Sequence, residues 1–278
     1  MKILICGDVV GKAGRQALVK YLPLIRERLD PDFVIVNGEN AAHGFGITRK
    51  IFNQFLELGV DMVTTGNHVW DQKEIINWIE DEDRILRPLN LPEGTIGRGH
   101  AIFESGKGHR VMMIHPMGRL FMKPIDDPFA SVDTALRNHK LGRGVGGAFD
   151  AIIVDFHAEI TSEKVGMGHH LDGRVSLVVG THTHIPTADA HILSGGTGFQ
   201  TDLGMCGDYD SVIGMNKETA VNRFTEKQPP GRLHPAEGEG TLCAVYAEFN
   251  DLTGLTEKIS PVRLGGKLPD TWPIGLTD

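Results

Sequence analysis

Three features of this sequence predict an α/β fold, a sandwich of two packed sheets with covering helices. Short apolar runs alternate with amphipathic stretches through the first third of the chain, the order that builds a largely parallel sheet. Several of those runs stop at a polar group, so the strands share an edge suited to ligand chemistry. Later runs pair as hairpins, which a single open parallel sheet does not house.

Each element follows from its residues. Lys2–Cys6 reads as the first strand, ending in Gly7-Asp8. Leu18, Leu22, Ile25 and Leu29 fall at helical spacing and predict a helix over Gly14–Leu29. Phe33–Val36 is a second buried strand, ending in Asn37-Gly38-Glu39-Asn40. A loop with Gly44 and Gly46 leads to Thr48, an N-cap residue type, and to a helix bearing Ile51, Phe55 and Leu58. Asp61–Thr65 is a third strand, ending in Gly66-Asn67-His68, and Asp71 is expected to cap a helix through Ile79. Ala101–Glu104 and Arg110–Ile114 flank a glycine turn as a hairpin. After a proline-bearing loop, Phe129–Lys140 is expected to be a helix and Gly142–Gly147 a connector. Ala151–Phe156 and Val175–Val179 are further strands, ending in His157 and in Gly180-Thr181-His182-Thr183-His184. Leu242–Phe249 and Thr256–Val262 supply late antiparallel strands. No repeat or long linker divides the chain, so residues 1–278 are expected to form one domain.

Composition excludes several classes. The 278 residues carry 28 Lys+Arg against 36 Asp+Glu, a net charge of −8 that argues against a nucleic-acid coat or a polybasic membrane anchor. The apolar run at the N-terminus is too short for a signal-peptide core. No stretch approaches the roughly 18 apolar residues of a membrane span. Cys6, Cys206 and Cys243 are widely spaced with no CxxC pair, as expected of reduced thiols in a cytoplasmic protein.

The candidate site lies at the strand ends: Asp8, Glu39-Asn40, Asn67-His68, His157 and His182-x-His184. Carboxyl ends of strands in α/β sheets open into one crevice, so these distant residues can converge. A bridging carboxylate with oxygen and imidazole donors suits two adjacent cations, which activate a water and clamp the oxygens of a phosphoryl group. Donors without thiolate fit manganese, iron, zinc or cobalt. His182 and His184, two apart on an extended segment, would face one side and serve neighbouring metals. Taken singly, Asp8 also reads as a helix cap, Asn67 as a turn former and His157 as a satisfied core histidine. Their joint occurrence at successive strand ends favours the metal site.

In their order, Gly7-Asp8, Gly66-Asn67-His68, His157 and Gly180-Thr181-His182-Thr183-His184 resemble the motifs of the calcineurin-like metallophosphoesterases. The superfamily usually opens Asp-x-His and carries a bridging Asp in its second motif, whereas this chain has Val10 and Glu39. Both departures resemble a bacterial subfamily of 2′,3′-cyclic-nucleotide phosphodiesterases. So do Val154-Asp155-Phe156-His157-Ala158-Glu159 and Thr201-Asp202-Leu203-Gly204-Met205-Cys206-Gly207. The resemblance implies a two-sheet αββα sandwich and two metal ions per subunit, iron or manganese first, with zinc or cobalt compatible. It places Asp8, His184 and Asn40 on one metal, Asn67, His157 and His182 on the other, and Glu39 between them. Asn40 stands in for the histidine absent at Val10. A metal-held hydroxide would attack phosphorus, and His68 would act as general acid on the leaving oxygen.

The expected partner is a small phosphate ester, not a membrane or a long nucleic acid, and a homo-oligomer stays open. A phosphomonoesterase or nucleotidase on the same metals, or a metal-binding regulatory protein with weak turnover, are the alternatives. Gly7-x-x-x-Gly11-x-x-Gly14 has the wrong spacing for a dinucleotide loop, and Asp8 would repel a pyrophosphate there. His43, His169 and His170 read as surface or loop residues. His100, His109, His139, His191 and His234 have no partner at ligand spacing.

Overall fold

The computed structural model describes residues 1–225 and 231–273. In chain order the first half holds β1 (Lys2–Val9), α1 (Gly11–Leu29), β2 (Phe33–Asn37), α2 (Arg49–Glu57), β3 (Met62–Thr64), β4 (Ile85–Leu86), β5 (His100–Glu104) and β6 (Arg110–Ile114). Then come α3 (Pro128–Leu136), β7 (Ala151–His157), α4 (Thr161–Leu171), β8 (Leu177–Thr181), β9 (His191–Ile192) and β10 (Gly198–Gln200). The last elements are β11 (Met205–Cys206), α5 (Lys217–Thr225), β12 (Leu242–Phe249) and β13 (Thr256–Leu264).

One sheet runs β13-β12-β1-β2-β3-β4, with β11 also paired to β1; the other runs β5-β6-β7-β8-β10-β9. Their parallel cores are β1 to β4 and β6, β7, β8 and β10, and the late strands β12 and β13 extend the first sheet antiparallel beside β1. Ile3 and Ile5 of β1 meet Met113, Ile153, Leu177 and Val179 between the sheets. Leu4 and Cys6, one residue out of phase, turn to Leu18, Leu22 and Ile25 of α1. The second sheet sends Ile152 and Val154 outward to Met167 and Leu171 of α4. This gives the expected four-layer αββα sandwich. Its central strands are buried on both faces, which is why they read as continuous apolar runs. Truncating an inter-sheet residue such as Ile153 to Ala would cost about 2–5 kcal/mol.

Register aligns the strand ends. Asp8 lies opposite Asn37 across β1 and β2, and His157 opposite Thr181 across β7 and β8. Gly7 lets the strands meet here: a Cβ on it would stand 1.9 Å from the Gly204 carbonyl oxygen.

Several local expectations change. Asp71 does not cap a helix; only a 3₁₀ turn, Lys73–Asn77, forms after Gln72. The helix expected to reach Lys140 ends at Leu136. Helix α1 starts at Gly11 with no side-chain cap, so Asp8 is free of that duty. Thr48 does cap α2, accepting from the Ile51 amide at 3.3 Å. Helix α4 is invisible in sequence because Gly166 and Gly168 break its pattern. Gly168 is needed there, since a Cβ would stand 2.5 Å from the Phe199 ring. The three cysteines are free and buried. Among the described residues no helix is long and apolar enough to cross a membrane.

Candidate metal centre

All eight residues singled out in sequence sit at the carboxyl edge shared by the two sheets. Asp8 is near the end of β1, and Glu39 and Asn40 lie in the turn after β2. Asn67 and His68 follow β3, His157 ends β7, and His182 and His184 follow β8. The turn after β2 is tied down by Asn37, whose Oδ1 accepts from the Glu39 amide at 3.1 Å while its Nδ2 donates to the Thr65 carbonyl at 2.8 Å. Gly66 has no room for a side chain: a Cβ would stand 2.3 Å from both Glu39 Oε2 and His157 Nε2.

The first group of donors surrounds His157. Its Nε2 is 3.0 Å from Asn67 Oδ1, 3.0 Å from Glu39 Oε1 and 3.1 Å from His182 Nδ1. The other side of the ring decides where the proton is. His157 Nδ1 lies 2.9 Å from Thr181 Oγ1, and that hydroxyl donates to Asp155 Oδ1 at 2.8 Å. A hydroxyl has one proton to give, so Nδ1 donates to Thr181 and Nε2 presents a lone pair. His182 Nε2 lies 3.0 Å from the Glu159 carboxylate, which only accepts, so a proton on that nitrogen leaves His182 Nδ1 with a lone pair as well. Burial, then neighbouring His157, pushes the His182 pKa down to about 3, keeping the ring neutral.

A second group forms around His184. Its Nδ1 meets the Ile213 carbonyl at 2.7 Å, so the proton is there and Nε2 is a lone pair. That Nε2 faces Asn40 Oδ1 at 3.3 Å and Asp8 Oδ1 at 4.0 Å. Asn40 Nδ2 is spent on the Gly44 carbonyl at 3.0 Å. Burial also lowers the His184 pKa. Asp8 Oδ1 and Glu39 Oε1 are buried with no hydrogen-bond partner among the described residues. Burial, then the charges of Glu39 and Asp202, pushes the Asp8 carboxyl up from its ordinary value.

The histidine pair arrives differently from the sequence expectation. His182 and His184 have φ of 100° and 65°, so a left-handed backbone, not strand alternation, brings both rings to the site. Asp202 holds this segment, accepting from the Thr183 amide at 3.2 Å and hydroxyl at 2.7 Å. Lys164 of α4 pairs with Asp202 at 2.6 Å in full burial. His68 Nδ1 bonds Asp71 at 2.8 Å, and its ring packs edge-on against Phe45 at 5.1 Å. A cleft of about 300 Å³ opens over these groups.

Sequence reasoning gave no supporting role to the residues that hold these groups, although Asp155, Glu159, Thr181 and Asp202 fall within the segments that carry the resemblance. Asp155 and Thr181 hold His157, Glu159 lies beside His182, Asp71 bonds His68, and Asp202, itself paired with Lys164, holds Thr183 between His182 and His184. Asp155 was detectable as a lone charge inside an apolar strand, a combination that requires partners. His115 went unnoticed. Both its nitrogens face carbonyls, of Asp155 at 3.0 Å and Thr65 at 2.8 Å, so two ring protons are called for. Burial opposes the charge on Asp155, but His115 beside it outweighs that and holds its carboxyl below the ordinary range.

The sandwich and its strand-end donors define a metallophosphoesterase-like fold. Within it, the chain belongs to the YmdB-like protein family, which it matches over residues 4–262. It is 44% identical over 264 residues to the 2′,3′-cyclic-nucleotide 2′-phosphodiesterase of Bacillus subtilis (strain 168), covering 95% of this chain and 97% of that one. A solved structure of a hypothetical protein from Thermus thermophilus matches with TM-score 0.87 at 42% identity, over 95% of this chain and 99% of the other. A novel phosphatase from Mycoplasma pneumoniae matches with TM-score 0.86 at 33% identity, over 95% and 93%.

Proposed function

We propose that this protein is a metal-dependent phosphodiesterase of cyclic nucleotides, 2′,3′-cyclic diesters foremost, with residues 1–278 acting as one unit. One observation carries the reading: unprotonated nitrogens of His157, His182 and His184 converge with buried, unbonded carboxylate oxygens of Asp8 and Glu39. Lone pairs packed this closely without protons repel one another unless positive charge lies among them, so these residues fit cations. Glu39, His157 and His182 offer ligand atoms all within 4.8 Å of one another.

In this reading Asp8, Asn40 and His184 would hold one ion, Asn67, His157 and His182 the other, and Glu39 both. Iron or manganese suits these donors first, with zinc and cobalt compatible. Such a pair, when bound, neutralises a phosphoryl group and makes a water acidic. The chain itself does the remaining work. Thr181 and Asp155 hold the His157 proton on Nδ1, and the Glu159 carboxylate, 3.0 Å from His182 Nε2, draws the His182 proton to that nitrogen. Asp71 accepts from His68 Nδ1, so it is the doubly protonated ring that gives its Nε2 proton to the leaving oxygen, Nδ1 staying bonded to Asp71. Phe45 restrains that ring from the side. The substrate class is supported by the Bacillus subtilis relative, whose name carries it and which aligns with 95% of this chain.

The test is a metal count and three assays on one batch of protein, with adenosine 2′,3′-cyclic phosphate, bis-p-nitrophenyl phosphate and p-nitrophenyl phosphate. Two metal equivalents and diester turnover exceeding monoester turnover are expected. A gently purified protein that neither holds nor takes up metal, or one that prefers the monoester, overturns the reading.

A further inference from the structure

The turn between Val212 and Met215 is built against local preference. Those two residues exchange backbone hydrogen bonds of 2.9 Å each way, closing a turn whose central residues are Ile213 and Gly214. Their φ angles are 47° and 92°. Positive φ at both central positions is the type I′ pattern, which favours Asn-Gly, and a β-branched residue there crowds its own backbone. Burial does not offset that strain, because Ile213 is 48% exposed. Its carbonyl orients His184, but asparagine or glycine would provide the same carbonyl with less strain.

What isoleucine alone supplies is apolar surface. Ile213 lines the cleft together with Phe45, Met215 and Leu233, forming a wall beside the donor groups of Glu39, His182 and His184. An ester whose phosphate sits among those donors places its alcohol portion against this wall. An apolar face, such as that of a nucleobase, gains from that contact.

We infer that Ile213 is a specificity-determining residue that contacts the nucleobase of the substrate, with Phe45 completing the contact. The inference rests on the phosphodiesterase reading and adds what the cleft selects beyond phosphate. Selection by such a surface is a difference in binding, so it should show in KM more than in kcat.

Ile213→Asn and Ile213→Gly test it. Both residues accept positive φ, so each variant should keep the turn and melt at or above the parent temperature. Metal-loaded proteins are assayed on adenosine 2′,3′-cyclic phosphate and on ethylene phosphate, the same five-membered cyclic diester without a base. The ratio of kcat/KM for the nucleotide to that for ethylene phosphate should fall roughly tenfold, carried by KM. Calorimetry with adenosine 3′-monophosphate should show a parallel loss of affinity in the variants. Equal losses on both diesters would assign Ile213 to His184 positioning alone and overturn the inference, as would an unchanged ratio and affinity. If the parent protein turned over neither diester yet bound the nucleotide more tightly than the variants, the phosphodiesterase reading would fail and the contact would stand.

Discussion

The two donor groups of the site are held in place by different means. Around His157 the support is buried side chains on strands: Thr181 on β8, Asp155 on β7 and Thr64 on β3, which donates to Asp155 at 2.6 Å. Around His184 the support is backbone carbonyls on turns, with Gly44 holding Asn40 and Ile213 holding His184. The first group can be disarmed by removing one hydroxyl. The second depends on loop geometry and tolerates side-chain changes that spare the backbone. A hydrogen-bond partner behind a ligating histidine is typically worth about 10–100-fold in metal affinity, so the two halves should respond to different substitutions.

Glu39→Ala should have the largest effect, because in the proposed assignment its carboxylate serves both ions. Metal counting should find both ions gone and diester turnover at background; a variant holding one ion at parental affinity would refute the shared role. His68→Ala should retain both metals and lose about 10²–10⁴ in turnover of an ester with a poor leaving group. Loss of metal in that variant would make His68 a ligand instead.

Thr181→Val sharpens the contrast itself. It leaves Asp155 and the His157 ring without their shared hydroxyl, at a cost of about 1–3 kcal/mol in stability. Metal titration should show roughly 10–100-fold weaker binding of one ion and near-parental binding of the other. Equal weakening of both ions would erase the distinction between the halves.

The smallest effect is a pH slope in the metal-free protein. His182 is held near pKa 3 in the fold, below its ordinary 6.5, so the unfolded chain binds the proton more readily. Its contribution to stability is intact above pH 6.5 and is lost as pH falls from there toward 3. His184, also lowered, acts in the same direction. Denaturant midpoints across this range should decline with acid in the parent and decline less in His182→Asn.

Much of the fold is legible because apolar runs such as Phe33–Val36 and Leu242–Phe249 are long enough to show their period. Elements lacking a pattern of their own are not. Strands β10 and β11 are three and two residues long and exist through pairing with β8 and β1. Helix α4 hides behind two glycines, one of them demanded by Phe199. In the site, Asp8, Glu39, Asn67 and His157 are readable because donor residues ending apolar strands stand out. Asp71 reads wrongly as a cap, since an aspartate before a helical pattern carries the same local signature in either role. Asp155 and Asp202 give their reason for being buried only once Thr181, His115, Lys164 and Thr183 are seen around them.

Local periodicity, and the points where polar groups interrupt it, are enough to specify the layers, the parallel core and the residues at the functional edge. They do not say which nitrogen of each histidine carries its proton. Nor do they say that His182 and His184 arrive on left-handed backbone, or that an isoleucine occupies a turn suited to asparagine. Those outcomes depend on partners brought together from distant parts of the chain, such as Asn40 and His184 or His157 and Asn67. Propensities act over a few neighbouring residues, so the distances between such partners are set only when the two sheets pack.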